Sequence, residues 1–224
     1  MQPLMEDILK AVMSGQEAAM RQLLKASPEV IRVRFEQDYL VEAIPHWLYL
    51  GDTPLHLAAA ALKVPAVRLL LGAGADSNAE NRREATPLFY ACDARPAGNG
   101  TWGPPSQAKI IDILLEHDAD PQHVDRGGAS ALHRAVRARS PVAVRHLLQG
   151  GARVDLRLSK GGSTVLHLAV QPTGAGGTAG ALPEQLEIIA LLLKHGADPM
   201  IPDSKGKTAR DCARGSQIRK ALGL

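Results

Sequence analysis

The sequence predicts an all-α solenoid of stacked helix–turn–helix units, and two observations support this fold class. One heptapeptide, TPLHLAA at Thr53–Ala59, recurs in variant form along the chain of 224 residues. Its later copies begin at Thr86, Ser130, Thr164 and Thr208. In addition, each copy leads into apolar residues spaced as on one face of a helix. Because self-similar helical units bury their apolar faces on one another, this recurrence is typical of repeat proteins.

The heptapeptide is also a sound helix start on physical grounds. Thr53 offers a hydroxyl that can cap an unpaired backbone N–H of the first turn. Pro54 falls at the first helical position, where its missing N–H costs nothing. Leu55 and Ala58 then lie on one helical face. We expect His56, at the third helical position, to bond the cap or a neighbouring loop.

The motif T-P-L-H-x-A, with a period of about 33 residues, resembles the ankyrin repeat. The resemblance extends from about Thr53 to Ala213. It implies an ankyrin-repeat solenoid in which the helix pairs are joined by short β-hairpin or loop fingers. In ankyrin proteins the fingers and first helices form a concave face that commonly binds partner proteins. We expect a single domain of this kind over residues 1–224.

The chain before the first motif is expected to contain two different elements. Residues 1–30 should form an N-terminal capping helix pair, because Leu4–Met13 and Gln16–Ala26 carry apolar residues at helical spacing with polar residues on the other faces. The segment 31–52 is too long for a hairpin and is predicted to be an extended loop. Its aromatic residues are Phe35, Tyr39, Trp47 and Tyr49. They either pack on the first repeats, which we favour, or form a binding epitope.

Four central repeats are assigned to residues 53–207, and a C-terminal cap to 208–224. The motif helices are predicted at 54–62, 87–93, 131–138, 165–171 and 209–213, and further helices at 64–71, 107–117 and 184–195. A second helix commonly ends at a left-handed residue, for which Gly is best suited. The residues at these closing positions are Gly74, Asp118, Gly151 and Gly196. We expect the corner at Asp118 to be slightly strained, because Asp carries a Cβ.

Two inserts lengthen alternate repeats. The spans Thr86–Ser130 and Thr164–Thr208 are 44 residues each, and the excess lies at 93–106 and 171–183. Their Gly and Pro content argues against regular structure. We expect Trp102, in the first insert, to pack on the first helices as a lid; the alternative is exposure to a partner. Such inserts resemble those of short, stand-alone bacterial ankyrin proteins.

Charge, cysteine content and hydropathy limit the class of protein. Lys and Arg number 26 against 23 Asp and Glu, and this net charge of +3 fits a mixed, solvated surface better than a nucleic-acid footprint. Cys92 and Cys212 indicate no disulfide framework and are expected as buried, reduced thiols. The sequence starts without a signal-peptide pattern, and no apolar run approaches a membrane span. We therefore expect a cytoplasmic monomer.

No motif predicts catalysis. GAGGTA at 174–179 fits a dinucleotide-binding pattern, but that pattern must follow a strand, whereas here it follows a predicted helix. The eight His residues are scattered over different repeats, without metal-ligand spacing on one helix face. The sequence thus predicts no cofactor, no metal and no enzymatic activity. The less favoured alternative is a catalytic or ligand-binding site formed by the inserts and the aromatic segment Phe35–Tyr49.

The finger tips carry most of the candidate binding residues. Asn81, Asp125, Ser159 and Asp203 are short polar residues that suit turns by bonding their own backbone. The basic residues beside them have no evident role inside the fold. Because successive ankyrin fingers lie side by side, these cations should form a stripe that attracts an acidic protein or peptide. The predicted partner-binding residues are Glu80, Asn81, Arg82, Arg83, Asp125, Arg126, Lys160, Lys205, Trp47 and Trp102.

The predicted function is protein–protein interaction through a preformed concave surface, which loses little ordering entropy on binding. One alternative is that the basic stripe binds nucleic acid or another polyanion, with steep salt dependence. Two others are that the basic residues only keep the edge soluble, and that the chain is a spacer without a selective partner. The sequence does not predict which protein is bound.

Overall fold

A computed structural model describes residues 3–41, 44, 47–93, 105–172 and 181–224. Within these ranges the chain forms twelve α-helices, and a short 3-10 helix lies at Pro28–Arg32. The α-helices are α1 (Pro3–Ser14), α2 (Glu17–Ala26), α3 (Pro54–Ala60), α4 (Val64–Gly72), α5 (Pro87–Cys92), α6 (Pro105–Glu116), α7 (Ala131–Arg137), α8 (Pro141–Gln149), α9 (Val165–Ala169), α10 (Leu182–Lys194), α11 (Ala209–Cys212) and α12 (Ser216–Ala221).

The helices group into two compact units, α1 to α6 and α7 to α12. In the first unit α1, α3 and α5 pack side by side, and α2, α4 and α6 do the same. In the second unit α9 packs between α7 and α11, while α10 packs between α8 and α12. Each unit is therefore a stack in which first helices contact first helices and second helices contact second helices.

The all-α class predicted from the sequence is confirmed. The described ranges contain no β-sheet, and their extended residues form only isolated antiparallel bridges. Three bridges close finger turns, at Val124–Ser130, Arg157–Thr164 and Pro202–Thr208, and a fourth joins Tyr39 to Leu48. The fingers are thus tight turns closed by single bridges, with no regular strands in the described part of the chain.

Short, fully packed first helices explain how the core is filled with few aromatic residues. Every residue of α3 and of α5 is buried. The small side chains of Ala58 and Ala59 are fully buried, which lets the neighbouring helices approach closely. The two cysteines differ from each other. Cys92 is buried as predicted, and burial raises the pKa of its thiol, but Cys212 is only half-buried, contrary to the prediction.

The motif helices begin where the sequence predicts and end one or two residues earlier. A left-handed residue follows α3 and α7, at Leu62 with φ 53° and at Arg139 with φ 56°. After α3 the N–H of Leu62 bonds the Ala59 carbonyl and that of Lys63 bonds the Ala58 carbonyl. This Schellman pair of hydrogen bonds satisfies the last carbonyls of the helix. The helices therefore stop at a cap that the hydrophobic pattern alone does not reveal.

The four closing positions of the second helices are left-handed, as predicted. The φ angles are 91°, 62°, 86° and 86° at Gly74, Asp118, Gly151 and Gly196, respectively. Each position carries the same Schellman pair, and at Asp118 the N–H groups of Asp118 and Ala119 bond the carbonyls of Leu115 and Leu114. For a residue with a Cβ this conformation costs roughly 1–2 kcal/mol, so the strain expected at Asp118 is present.

Adjacent fingers within a unit are joined by a backbone hydrogen bond. Ser159 N–H donates to the Gly127 carbonyl over 2.9 Å, and Ser204 N–H donates to the Gly161 carbonyl over 3.0 Å. The side chain of Arg157 strengthens the second junction, because it donates to the carbonyls of Gly162 and Pro202. This repeated bonding fixes the spacing between neighbouring finger tips.

Gly128 lies at the closest of these junctions, and we expect its replacement by Ala to be destabilising. Its φ is 76°, and an added Cβ would lie 2.5 Å from the Ser159 backbone nitrogen. Gly206 is its matched control, because it has a similar φ of 73° but open space around the added Cβ. We expect Gly128→Ala to lower the free energy of unfolding by at least about 1 kcal/mol more than Gly206→Ala. Urea denaturation measures both, and equal losses would contradict the close contact.

Candidate functional site

Two fingers, those that end at Ala85 and at Lys207, are each tied at the base to the preceding first helix by a histidine. Thr53 N–H donates to Nδ1 of His56 over 3.0 Å, completing a capping box with the Thr53 hydroxyl. Because Nδ1 accepts, the proton is on Nε2, which bonds the Ala85 carbonyl over 3.1 Å. His167 repeats this arrangement with Thr164 and the Lys207 carbonyl. The histidines therefore bond both their own cap and the next finger, which fulfils the sequence expectation.

Burial keeps two motif histidines, His56 and His133, in the neutral form. Desolvation lowers the pKa of His56, although the Asp52 carboxylate 3.7 Å away raises it. The two side chains are therefore not an ion pair at neutral pH. Burial lowers the pKa of His133 to about 4 against the opposing effect of the Ser163 carbonyl. The Nε2 atom of His133 is buried and has no partner of hydrogen-bonding geometry among the described residues.

The polar residues at the finger tips shape the turns, as predicted, at three of four positions. The Oδ1 atom of Asn81 accepts from the N–H groups of Arg83 and Ala85 over 2.8 and 3.1 Å. Asp125 and Asp203 accept from the residues two and four positions later in the same way. The prediction for Ser159 is wrong, because Leu158 holds the equivalent place, with its N–H bonded to the Ser163 carbonyl.

A buried polar network supports the first finger from below. The Asp52 carboxylate accepts hydrogen bonds from Asn81 Nδ2 over 2.8 Å and from the Tyr90 hydroxyl over 2.6 Å. It also accepts from the backbone N–H of Tyr49 over 2.6 Å. The Asn81 amide is thus saturated by Asp52 and Tyr90 on one side and by its own turn on the other. Asn81 is buried, so its side chain holds the finger and offers little surface to a partner.

The two arginines of the first finger have partners in the segment 31–52. Arg82 forms an ion pair with Asp38, and its guanidinium carbon lies 5.5 Å from the centroid of the Tyr49 ring. The guanidinium carbon of Arg83 lies 4.0 Å from the same centroid, a cation–π contact. The expectation that these arginines have no role inside the fold is therefore wrong. The sequence does not reveal it, because Asp38 and Arg82 are 44 residues apart.

The segment 31–52 places its aromatic residues on two faces. Phe35 is buried and meets Tyr39 edge to face, with ring centroids 5.7 Å apart. Trp47 is 48% exposed, and Leu40, which lies opposite it across the Tyr39–Leu48 bridge, is 63% exposed. Because side chains alternate along an extended chain, the outer face carries Leu40 and Trp47 while Leu48 points inward. Thus part of this segment packs on the repeats and part is exposed.

In the second unit, the candidate residues are differently engaged. Asp125 is buried and pairs with Arg134 over 2.7 Å in addition to shaping its turn. Arg126, Lys160 and Lys205 are exposed. The fingers that carry Lys160 and Lys205 are adjacent, because the Ser204–Gly161 hydrogen bond joins them. The Ser159–Gly127 hydrogen bond joins the finger of Arg126 to that of Lys160 in the same way, so the three basic residues lie on successive fingers of this unit.

Two predicted candidates remain, Glu80 and Trp102, and two residues of the site, Asp38 and Asp52, were not predicted. Glu80 is exposed, and its carbonyl accepts from Arg34, which also bonds the Gly51 carbonyl. Trp102 lies outside the described residues. The sequence patterns did not predict a role for Asp38 or Asp52. Asp52 nevertheless departs from the repeat pattern at the position before the cap. In the later copies the residue before the cap is Ala, Ser or Lys, so an acid there is unusual.

The described ranges contain no group of three His, Cys, Asp or Glu side chains that could hold a metal ion. Among the helices of these ranges, none is long and apolar enough to cross a membrane. The arrangement offers two kinds of surface. The finger tips, held by backbone hydrogen bonds, carry exposed basic side chains, and the outer face of the segment 31–52 carries the exposed Leu40 and Trp47.

Comparison with known families and relatives places the repeats in context. The family model described as ankyrin repeats (3 copies) matches residues 8–125 and 105–203. Human B-cell lymphoma 3 protein is 32% identical over 155 residues, which cover 66% of this chain and 29% of that protein. The p105 subunit of nuclear factor NF-kappa-B from Gallus gallus is 34% identical over 125 residues, or 54% of this chain and 12% of that protein. The chain thus spans less than a third of these relatives.

Solved structures match over nearly the whole chain. The ankyrin repeat protein EF0377 superposes with a TM-score of 0.68 at 24% identity, covering 97% of this chain and 96% of that one. An ankyrin repeat domain from Acinetobacter baumannii AYE superposes with a TM-score of 0.66 at 26% identity, covering 95% of both chains. These likenesses agree with the fold described above.

Proposed function

The chain belongs to the ankyrin-repeat family, and from this premise we propose that it is a non-catalytic protein that binds an acidic protein or peptide. Ankyrin repeats are a general protein–protein interaction module, and the family is typically non-catalytic. In this proposal the partner contacts the finger tips and the adjoining exposed surfaces. The buried Asn81 and Asp125 hold the fingers in place for it.

The observation that carries the proposal is the exposed guanidinium of Arg83. It stacks on Tyr49, and no carboxylate among the described residues pairs with it. Arg82 differs, because Asp38 neutralises its charge. The unpaired positive charge of this finger is therefore on Arg83. Because the Tyr49 ring already holds its guanidinium in place, binding a partner costs little further side-chain entropy. A carboxylate from a partner can bond such a preorganised guanidinium on two donors.

Apolar side chains next to this finger supply a second kind of contact. Trp47 and Tyr49 are two residues apart in an extended segment and so lie on the same side of it. Leu40 lies opposite Trp47, and both are about half exposed or more. Interfaces are enriched in aromatic residues and Arg at their centres. This combination supports a partner with an acidic residue beside an apolar one.

A charge reversal with a matched control tests this proposal. Peptides selected from a random displayed library against the wild-type chain are expected to be rich in Asp and Glu. For a selected peptide, we expect Arg83→Glu to slow association several-fold, on the order of threefold to tenfold at low salt. The control is Arg68→Glu, which makes the same charge change at an exposed position on α4. Stopped-flow or surface-binding kinetics measure both.

The composition of the selected peptides, the association rates of the two variants and binding of DNA can each contradict the proposal. Selected peptides without acidic enrichment, or equal association rates for Arg83→Glu and Arg68→Glu, would exclude Arg83 as the contact. Tight, strongly salt-dependent binding of duplex DNA that Arg83→Glu weakens would favour the polyanion alternative instead. Arg82 is unsuitable for this test, because its reversal would also break the ion pair with Asp38.

Several expectations from the sequence stay predictions. They are the assignment of residues 1–224 to one domain with caps at 1–30 and 208–224, the monomeric state, and the cytoplasmic location. The basic stripe joining Arg82, Arg83, Arg126, Lys160 and Lys205 on one concave edge is also a prediction. Its support is the exposed Arg83, stacked on Tyr49, in the first unit and the three successive fingers that carry Arg126, Lys160 and Lys205 in the second.

A further inference from the structure

The second unit contains a cavity away from the finger tips. Its volume is about 310 Å³, within the lower range of small-molecule sites. It lies among residues at the end of α9, on α10 and around the start of α12. Apolar walls are supplied by Val170 and Ile218, and polar groups by Gln185 and Ser216. Two arginines, Arg139 and Arg214, also line the cavity. Among the described residues, no Asp or Glu lines it.

Arg139 is a buried cation with no carboxylate partner among the described residues. Its residue is 2% exposed, and burial lowers the pKa of its guanidinium. Nη1 donates to the Ala169 carbonyl over 3.1 Å and Nη2 donates to the Gln171 carbonyl over 2.5 Å. No carboxylate of the described residues pairs with it, and the stretch 173–180 has no ionisable residue in its sequence. A buried charge that is only hydrogen-bonded to neutral carbonyls is costly.

The backbone does not explain why an arginine occupies this position. Arg139 has a left-handed φ of 56°, where Gly or Asn is cheaper. In the first unit the equivalent position after α3 is Leu62, which is uncharged. The turn therefore forms without a guanidinium. Of the five N–H donors of Arg139, two make the hydrogen bonds to carbonyls, which leaves donors for a ligand in the cavity.

We propose that this cavity is a binding site for a small oxyanion ligand, carrying a carboxylate or a phosphate, with Arg139 at its base and Arg214 at its mouth. The ligand supplies the negative charge that the unit lacks around Arg139. Exposed Arg214 attracts it and closes the site with a second charge-assisted contact. The apolar walls at Val170 and Ile218 accommodate the non-ionic part of the ligand. This site is separate from the surface in the proposed function and does not depend on it.

The test uses the full chain with two probes, sodium phosphate and sodium succinate, each compared with sodium chloride at equal ionic strength. We expect at least one probe to raise the melting temperature saturably, because it binds the folded state only. Isothermal titration then gives the affinity. A response to phosphate alone identifies a phosphate-type ligand, and a response to succinate alone identifies a carboxylate; either result supports the site.

Two variants connect this response to the cavity. Arg214→Glu is expected to weaken probe binding by at least about tenfold, as loss of a charge-assisted contact does. Arg219→Glu is the matched control, because Arg219 is an exposed arginine five residues later in the chain, on α12, and does not line the cavity. Arg139→Gly should also abolish the response, and Gly suits the left-handed backbone, so the fold is expected to persist.

Two results would overturn the proposal. One is the absence of any saturable effect of phosphate or succinate beyond that of chloride. The other is a response that Arg214→Glu and Arg219→Glu affect equally, which would indicate general screening of surface charge. Should Arg139→Gly fail to fold, the comparison of the two exposed arginines still decides.

Discussion

Leu166→Ala is expected to lower the free energy of unfolding by about 2–5 kcal/mol. Leu166 is completely buried in α9, a helix that packs against α7, α10 and α11. Truncation removes apolar atoms from water-free surroundings and leaves a cavity, because the first helices are held at fixed spacing by the finger bonds. The site cannot collapse easily, so we expect a large loss. Urea denaturation followed by circular dichroism measures it.

Lys160→Ala is the control for this experiment. Lys160 is exposed on a finger tip of the same unit, and its replacement should change the free energy of unfolding by no more than about 0.5 kcal/mol. Both variants truncate a side chain to Ala. The difference between their losses in free energy of unfolding therefore reflects the burial of Leu166 and the exposure of Lys160. Similar losses for the two variants would show that the assignment of inner and outer positions in this repeat is wrong.

The fold could be predicted because its signals are local. The cap at Thr53, the proline after it and the apolar spacing along α3 all lie within ten residues of one another, and each acts through its own helix. The left-handed closures at Gly74 and Asp118 are local in the same sense. Repetition then makes the fold class certain, since one unit cannot bury its face alone. All five motif helices end one or two residues earlier than predicted. After α3 and α7 a left-handed residue, Leu62 or Arg139, ends the helix, and the hydrophobic pattern does not reveal it.

The candidate site was predicted less well, because its contacts join residues that are distant in sequence. Arg82 meets Asp38 and Tyr49 only once the segment 31–52 lies beside the first finger. A basic finger tip looks the same in sequence whether its charge is paired, as in Arg82, or unpaired, as in Arg83. Arg139 shows the same limit, since its missing counter-ion is a property of the packed unit. Sequence reasoning therefore identified the fingers but not their charge pairing.

The stability of the chain is expected to fall by about 3 kcal/mol, through His133 alone, as the pH is lowered from 6.5 to 4. The pKa of His133 is lowered from 6.5 to about 4 by burial. Within this window the unfolded chain therefore binds a proton that the folded chain does not, so stability increases with pH. The contribution is complete above about pH 6.5 and lost as the pH falls to about 4. Burial also lowers the pKa of His56, so its contribution has the same sign.

His133→Gln tests this pH dependence without removing the cap. Gln at the third helical position can still accept from the N–H of Ser130, as His133 Nδ1 does over 3.1 Å, but it does not titrate. Free energies of unfolding measured in urea at several pH values between 7.5 and 4 should fall less steeply for His133→Gln than for the wild type. The control is His195→Gln, at an exposed position, which should retain the wild-type slope. If His133→Gln and the wild type lose stability in parallel over this range, the buried histidine is not the source of the acid sensitivity.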